Sequence, residues 1–194
     1  NLNAEYAYNG ELNISKIFGD IFKVNLSAFY TYLDNAMVRR EYTINGADSI
    51  MYNGELSKVY AIQNASYAKV YGGSIGLELK LTNGIGFSSV YNYQKGEEEM
   101  DNGKVSSSRH AAPAFGITRI SYNYDKISLE LNTMYCAEVS YSNLNEEERL
   151  KPFIYAIDNN GNPYSPNWYT LNIKASYKIN EKLSINAGLE NITD

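Results

Sequence analysis

From Ile127 to Tyr141 apolar and polar residues alternate with one interruption. Ile127, Leu129, Leu131, Tyr135, Ala137, Val139 and Tyr141 share one parity, broken only by Thr133. Ser128, Glu130, Asn132, Met134, Cys136, Glu138 and Ser140 share the other. Side chains of a strand point to opposite faces with period two, so this stretch predicts one long strand with an apolar side and a wet side. Strands in soluble sheets usually run about five or six residues. A run of about fifteen residues fits the wall of a membrane-spanning β-barrel better than a soluble sandwich.

The neighbouring segments repeat the pattern. Tyr6, Tyr8, Leu12 and Ile14 alternate with Glu5, Asn9, Glu11, Asn13 and Ser15. Phe22, Val24, Leu26, Ala28, Tyr30 and Tyr32 alternate with Lys23, Asn25, Ser27 and Thr31, and Phe29 is the exception. Further runs centre on Ile75–Leu81, Ile85–Tyr93, Arg119–Tyr124, Tyr169–Lys178 and Leu183–Glu190; the one ending at Tyr124 starts less cleanly, between Ala114 and Thr118. The prediction is an all-β, antiparallel meander of about eight long strands, paired in sequence order as a partial wall of a large transmembrane barrel. Leu26, Leu129, Leu131, Leu171, Ile173 and Ile185 are expected to face lipid. Arg119, Glu130, Glu138, Lys174, Lys178 and Glu190 are expected to face a wet lumen.

The connections alternate in length. Gly19-Asp20, Thr82-Asn83-Gly84, Asp125-Lys126 and Asn180-Glu181-Lys182 read as tight hairpin turns. Long polar segments at about 43–58, 95–110 and 143–167 separate them. Outer-membrane barrels have this asymmetry, with short periplasmic turns and longer extracellular loops. Aromatic placement agrees, in a chain with 19 tyrosines. Phe22, Tyr124, Ile127 and Tyr177 sit beside the short turns, and Tyr30, Phe115, Tyr135 and Tyr169 sit further along the same strands. At roughly 3.3 Å per residue and the tilt of a barrel strand, the two rows stand about 20–23 Å apart, close to the apolar band between aromatic girdles.

Composition narrows the classes. Apolar residues make up 44% of the chain and mean hydropathy is −0.42. No apolar run of about 18 residues exists, which excludes a transmembrane helix but not a barrel, whose strands are half wet. A net charge of −5 without a basic stripe argues against nucleic acid as a partner. The single cysteine, Cys136, falls on the wet parity and is assigned no redox or metal role. With the tight turns periplasmic, the first strand runs inward and the last runs outward. Both ends of the chain are therefore expected at the long-loop end, with more barrel on either side.

The stretch "LSINAGLENITD" is similar to the penultimate strand of TonB-dependent outer-membrane receptors, in which an Asn-(Leu/Ile)-(Thr/Phe)-Asp segment precedes the last loop. "VYGGSIGLELKL" and "AEYAYNGELNI" resemble other strands of that family's barrel, and "PNWYTLNIKASYKINEKLSINAGLENITD" its two-strand tail. The resemblance spans essentially the whole chain. It implies that residues 1–194 are a fragment of one such barrel of about 22 strands, with the plug and the final strand absent. It further implies a place in the bacterial outer membrane and energised import of a large or scarce nutrient: a siderophore, haem, cobalamin, glycan or peptide. The implied partners are outer-membrane lipid, the receptor's own N-terminal plug, the TonB complex acting through it, and the imported ligand. No cofactor is implied. Charges on the wet parity become candidates for plug contact.

Candidate chemistry is sparse. His110, the only histidine, follows Ser106-Ser107-Ser108-Arg109, but a serine nucleophile needs a base and an orienting partner, and a lone histidine at a loop mouth is expected to be solvated. No enzyme is expected. Glu97-Glu98-Glu99 with Asp101, and Glu146-Glu147-Glu148, have the ligand type for calcium but read as solvated loop tips. Asp158-Asn159-Asn160-Gly161-Asn162 reads as a turn. Gly72, Gly73 and Gly76 have no helix after them and point to close packing rather than nucleotide binding. Arg39, near the outer end of the second strand, and Tyr52 and Trp168 in the long loops are the candidate substrate contacts. Two alternatives stay open: a small outer-membrane barrel acting as adhesin or anchor, and a soluble lipocalin-like barrel with its apolar face inward.

Overall fold

The alternating segments become eight long strands joined in sequence order. The structure, a computed structural model, describes residues 2–64, 67–99, 103–108 and 112–193. The wall consists of β1 (Tyr6–Phe18), β2 (Phe22–Asp34), β3 (Tyr67–Lys80), β4 (Ile85–Glu99), β5 (Ala114–Tyr124), β6 (Ile127–Cys136), β7 (Trp168–Asn180) and β8 (Leu183–Leu189). Every neighbouring pair is antiparallel, and among the described residues β1 and β8 form the two edges of an open path. Val105–Ser107 adds a short strand against the outer end of β4.

Register sorts the side chains as alternation requires. Leu26 lies opposite Ile14 on one side and Ile75 on the other. Leu131 lies between Ile120 and Ile173, and Ile173 opposite Leu189. Leu129, Leu171 and Ile185 fall on the same apolar face. Thr133, the interruption in β6, lies opposite Thr118, whose hydroxyl hydrogen-bonds Ser89 at 2.9 Å.

The sheet is one layer thick and has almost no core. Among the described residues the buried hydrophobics are Ala36, Val59, Ala68 and Leu144, and none belongs to the middle of the wall. Leu12 is 61% exposed, Ile14 53% and Ile185 59%. A contiguous apolar surface of this extent marks a face meant to meet another apolar phase.

The tight turns cluster at one end. Gly19 and Asp20 both have positive φ, as does Asp125. Gly84 has φ +86°, and a Cβ there would stand 2.0 Å from the Asn123 carbonyl oxygen, so the turn requires glycine. At the other end long connections lead from β2 to β3, from β4 to β5 and from β6 to β7. β1 starts at that end, with Tyr6 opposite Asp34, and β8 runs toward it from the turn after β7. Asn1 and Asp194 lie outside the described residues.

Three expectations need correction. The strand expected to reach Tyr141 ends at Cys136. The Ala137 N–H still bonds the Ala114 carbonyl and Val139 bridges Ser165 in the β6–β7 register, but the continuous ladder stops at Cys136. Glu138 lies past the end of β6, beside the isolated Val139–Ser165 bridge. Phe115, counted in the outer aromatic row, pairs with Asn92 and Cys136 and so lies on the polar face. Arg39 is not on the second strand: Asn35 takes φ +53° after Asp34, and the chain restarts as a separate strand, Met37–Glu41.

Candidate functional site: the polar face and the outer loops

The polar face divides by height. Toward the short turns, charges and amides link across strands. Lys23 lies opposite Glu78, 3.6 Å apart. Arg119 Nε reaches Glu130 Oε2 at 3.1 Å, a diagonal pair across β5 and β6. Asn132 donates to Glu130 at 3.1 Å, Asn172 donates to Asn132 at 2.9 Å, and the Asn191 N–H donates to Asn172 at 2.8 Å. This amide rail links β6 to β7 and ends past β8, at the Asn191 turn. Asn132 and Asn172 are 7% and 8% exposed, so their bonds replace water that they lose. The ion pairs are half-exposed and hold orientation more than they add stability.

Lys174 lies opposite Glu130, and Lys178 opposite Ser184. With Ser176, Asn186 and Glu190, Glu130 and Lys174 line a groove of about 550 Å³. Glu190 itself follows the last residue of β8.

Toward the long loops the same face turns apolar. Phe29, the exception in the second strand's alternation, faces Gly72 across the ladder. A Cβ at Gly72 would stand 3.0 Å from the Phe29 ring and 2.2 Å from the Tyr93 carbonyl oxygen, so close packing is what this glycine permits. Val90, Ile117, Met134 and Phe115 continue the patch by register, and Trp168, opposite Cys136, closes it at the rim.

The loops above are built differently from each other. The 35–66 connection is a pair of narrow ribbons, Met37–Glu41 with Tyr60–Asn64 and Ser49–Tyr52 with Glu55–Lys58. Its tip is the two-residue turn Asn53-Gly54, both at positive φ. Asn64 fastens its base by donating to the carbonyls of Asn35 and Asn3, at 2.7 and 3.1 Å.

The 137–167 connection is a folded cap. Asn145, fully buried, donates to Glu98 and to the Ser107 carbonyl, both at 2.8 Å, and accepts from the Glu147 N–H. The Glu146 N–H donates to the Ser106 hydroxyl at 3.1 Å. Glu148 returns a bond to the Asn145 N–H, completing a capping box that starts the short helix Glu146–Arg149. The Arg149 guanidinium stacks on Tyr141, 4.8 Å from the ring centre. Burial, and then the hydrogen bond that its hydroxyl donates to Glu148, pushes the Tyr155 pKa up to about 12. The Asp158 carboxylate accepts from the N–H groups of Asn160 and Asn162, which holds its pKa below the usual range and makes the expected turn.

The predicted substrate contacts do not converge. The Arg39 guanidinium lies over the Tyr60 ring at 4.8 Å, Tyr52 is 65% exposed at a ribbon tip, and Trp168 stands at the start of β7, with β4, β5 and β6 between β3 and β7. The acidic runs are engaged within the protein: Glu97 with Lys69 and Lys95, Glu98 with Asn145, Glu148 with the capping box. Among the described residues no cluster of three or more His, Cys, Asp or Glu side chains has the arrangement of a metal site. His110, Arg109 and Asp101 lie outside the described residues. Asn145 was absent from the sequence reading, although Asn145-Glu146-Glu147-Glu148 has the spacing of a capping box and signalled a helix start.

The fold is shared with solved structures. The chain superposes on the copper transporter OprC with a TM-score of 0.72 at 14% identity, covering 100% of this chain and 26% of that one. The ferric enterobactin receptor PfeA of Pseudomonas aeruginosa gives 0.69 at 19% identity, again over 100% and 26%. The siderophore receptor PirA from Acinetobacter baumannii gives 0.68 at 17% identity, over 98% and 28%. The chain thus spans little more than a quarter of the length of these proteins. No curated relative matches it by sequence. The family described as TonB dependent receptor-like, beta-barrel matches residues 1–192, and the chain belongs to that family.

Proposed function

We propose that this chain is part of the barrel domain of an outer-membrane receptor that imports a large or scarce nutrient under TonB control. The observation that carries this reading is the one-layer wall. An apolar face is left open across the height of strands 10–15 residues long in β2 to β7, and a polar face behind it has charges and amides already linked. A membrane strand needs about 9–11 residues. Lipid on the first face and water or protein on the second satisfy both.

In this reading the chain is a fragment of one barrel domain, and the plug and closing strand belong to the rest of the receptor. Leu26, Leu129, Leu131, Leu171, Ile173 and Ile185 meet lipid. Arg119, Glu130, Lys174, Lys178 and Glu190 face the lumen and are placed to meet the plug. Arg39, Tyr52 and Trp168 stand at the outer rim, where cargo is met first. The neighbours' names (a copper transporter, a ferric enterobactin receptor, a siderophore receptor) favour a metal or metal chelate as cargo.

The test is growth and uptake by cells carrying the full-length receptor. Deleting the receptor, or its TonB partner, should abolish high-affinity accumulation of one scarce nutrient. A deletion strain that accumulates every tested metal chelate, haem, cobalamin, glycan and peptide like the parent would overturn the proposal.

A further inference from the structure

The polar face loses its charge above the amide rail. The row of Asn132 and Asn172 also holds Lys23, Glu78 and Arg119. The next row outward runs Asn25, Gly76, Val90, Ile117, Met134 and Thr170. The row beyond it runs Ser27, Ser74, Asn92, Phe115, Cys136 and Trp168. Neither row holds a charge. Among the described residues of β2 to β7, the next charged side chain outward on this face is Glu98, at the rim, and Asn145 donates to it at 2.8 Å. The polar groups of this band are neutral and partly bonded within it. Ser27 and Ser74 share a bond at 2.7 Å, and Asn92 donates to the Phe115 carbonyl at 3.3 Å. The apolar side chains stay open, with Trp168 51% exposed and Met134 43%.

Four cations of the outer loops are engaged within the protein. Arg40 donates to the Glu99 carbonyl, Lys58 to the Glu41 carboxylate, and Arg149 to the carbonyls of Leu144 and Ser142. The Arg39 guanidinium lies over the Tyr60 ring. Lys151, exposed in the cap, is a single charge. Recognition of a polyanion needs several arginine or lysine donors aimed at its oxygens. A polyanion pressed against this band would lose water and gain no counter-charge, which is costly. A molecule without net charge fits better, its apolar side on Ile117, Met134 and Trp168 and its amide or hydroxyl groups toward Asn92 and Gln94.

We propose that the cargo is a metal chelate without net charge, seated with its apolar side on Ile117, Met134 and Trp168. This rests on the reading above that the receptor imports a metal or metal chelate, and narrows it to one charge class. Cover of the band by the plug is the competing arrangement, and the test separates the two.

The experiment measures TonB-dependent uptake by cells carrying the full-length receptor. Ferric and cupric ions are each supplied as an uncharged hydroxamate chelate and as an anionic catecholate chelate. For one metal, the hydroxamate should reach half-maximal uptake at a concentration about tenfold or more below the catecholate. Met134→Arg puts a cation into the band and should shift that ratio about tenfold toward the anionic chelate. Heat-modifiable gel mobility reports whether this variant folds. If it does not, Trp168→Ala serves, and should weaken uptake of the uncharged chelate roughly fivefold. Preference for the anionic chelate, or equal use of both, would overturn the proposal. So would an unchanged ratio in folded Met134→Arg, or unchanged uptake in Trp168→Ala, either of which would leave the band to the plug. Uptake of haem, cobalamin, a glycan or a peptide but of neither chelate would sink this inference and leave the import reading standing. A deletion strain that loses uptake of no nutrient sinks the reading beneath it.

Discussion

The wall and the cap over residues 137–167 are held by different physics. In the middle of the wall no apolar side chain is buried, and the strands are joined by backbone ladders whose apolar face is left open. In the cap, Leu144 and Asn145 are buried, and bonds from Asn145 and Glu146 join segments about 40 residues apart in sequence. The wall is completed by its solvent, and the cap completes itself. Changes in the wall should therefore depend on the bilayer, and changes in the cap should not.

The largest expected effect puts this to the test within one strand. Leu131 and Met134 both lie in β6 and face opposite ways. An arginine at the lipid-facing midplane costs about 2–4 kcal/mol, and far less in a wet lumen. In the full-length receptor, Leu131→Arg should lose most of its folded yield in bilayers, and Met134→Arg should keep most of it. Heat-modifiable gel mobility of the two variants checks this. Equal losses would leave the faces unassigned, and a greater loss at Met134 would put the apolar face inside.

How much the sequence disclosed follows the same division. Wall strands obey period two because each side chain needs only to choose a face, so alternation located them and their turns without tertiary information. The reading failed where the chain leaves the ladder. Phe115 was misplaced because the start of β5 has no clean alternation, and register with Asn92 and Cys136 decides its face. Arg39 was misplaced because a single positive φ at Asn35 ends β2 and starts a new strand. Alternation runs on to Tyr141, but past Cys136 the ladder thins to the isolated Val139–Ser165 bridge, which period two cannot foresee. The lysines beside Glu97 were not legible, and at Asn145 the capping-box spacing signals a helix start but not the bonds to Glu98 and Ser107. Each depends on which distant segment a loop meets.

An intermediate effect isolates the cap. Asn145→Ala removes the hydrogen bonds given to Glu98 and to the Ser107 carbonyl and should cost roughly 1–3 kcal/mol locally. Hydrogen exchange should rise across 137–167 and at Val105–Ser107, while amides of β2, β3 and β6 keep their protection. Uniform loosening of the wall would show that cap and wall share one cooperative unit, contrary to the contrast drawn above. Unchanged exchange in the cap would show that the node does not hold it.

The smallest effect is a titration confined to the cap. A free tyrosine loses its proton near 10, and in the folded cap burial and the Glu148 bond raise Tyr155 to about 12. Below about 10 both folded and unfolded chains keep the proton, and this contribution to stability is whole. Between the two values the unfolded chain releases its proton first, so the contribution falls as pH rises, and it is spent above about 12. The tyrosinate absorbance of wild type minus that of Tyr155→Phe should trace one phenol with a midpoint near 12. A midpoint near 10 would mean that water reaches the hydroxyl and the cap is open. Tyr155 meets the wall through Glu148, Asn145 and Glu98 at the outer end of β4, so the middle of the wall should not respond to this one proton. A heat-modifiable mobility that changes in step with the Tyr155 signal would erase the distinction between the two regions.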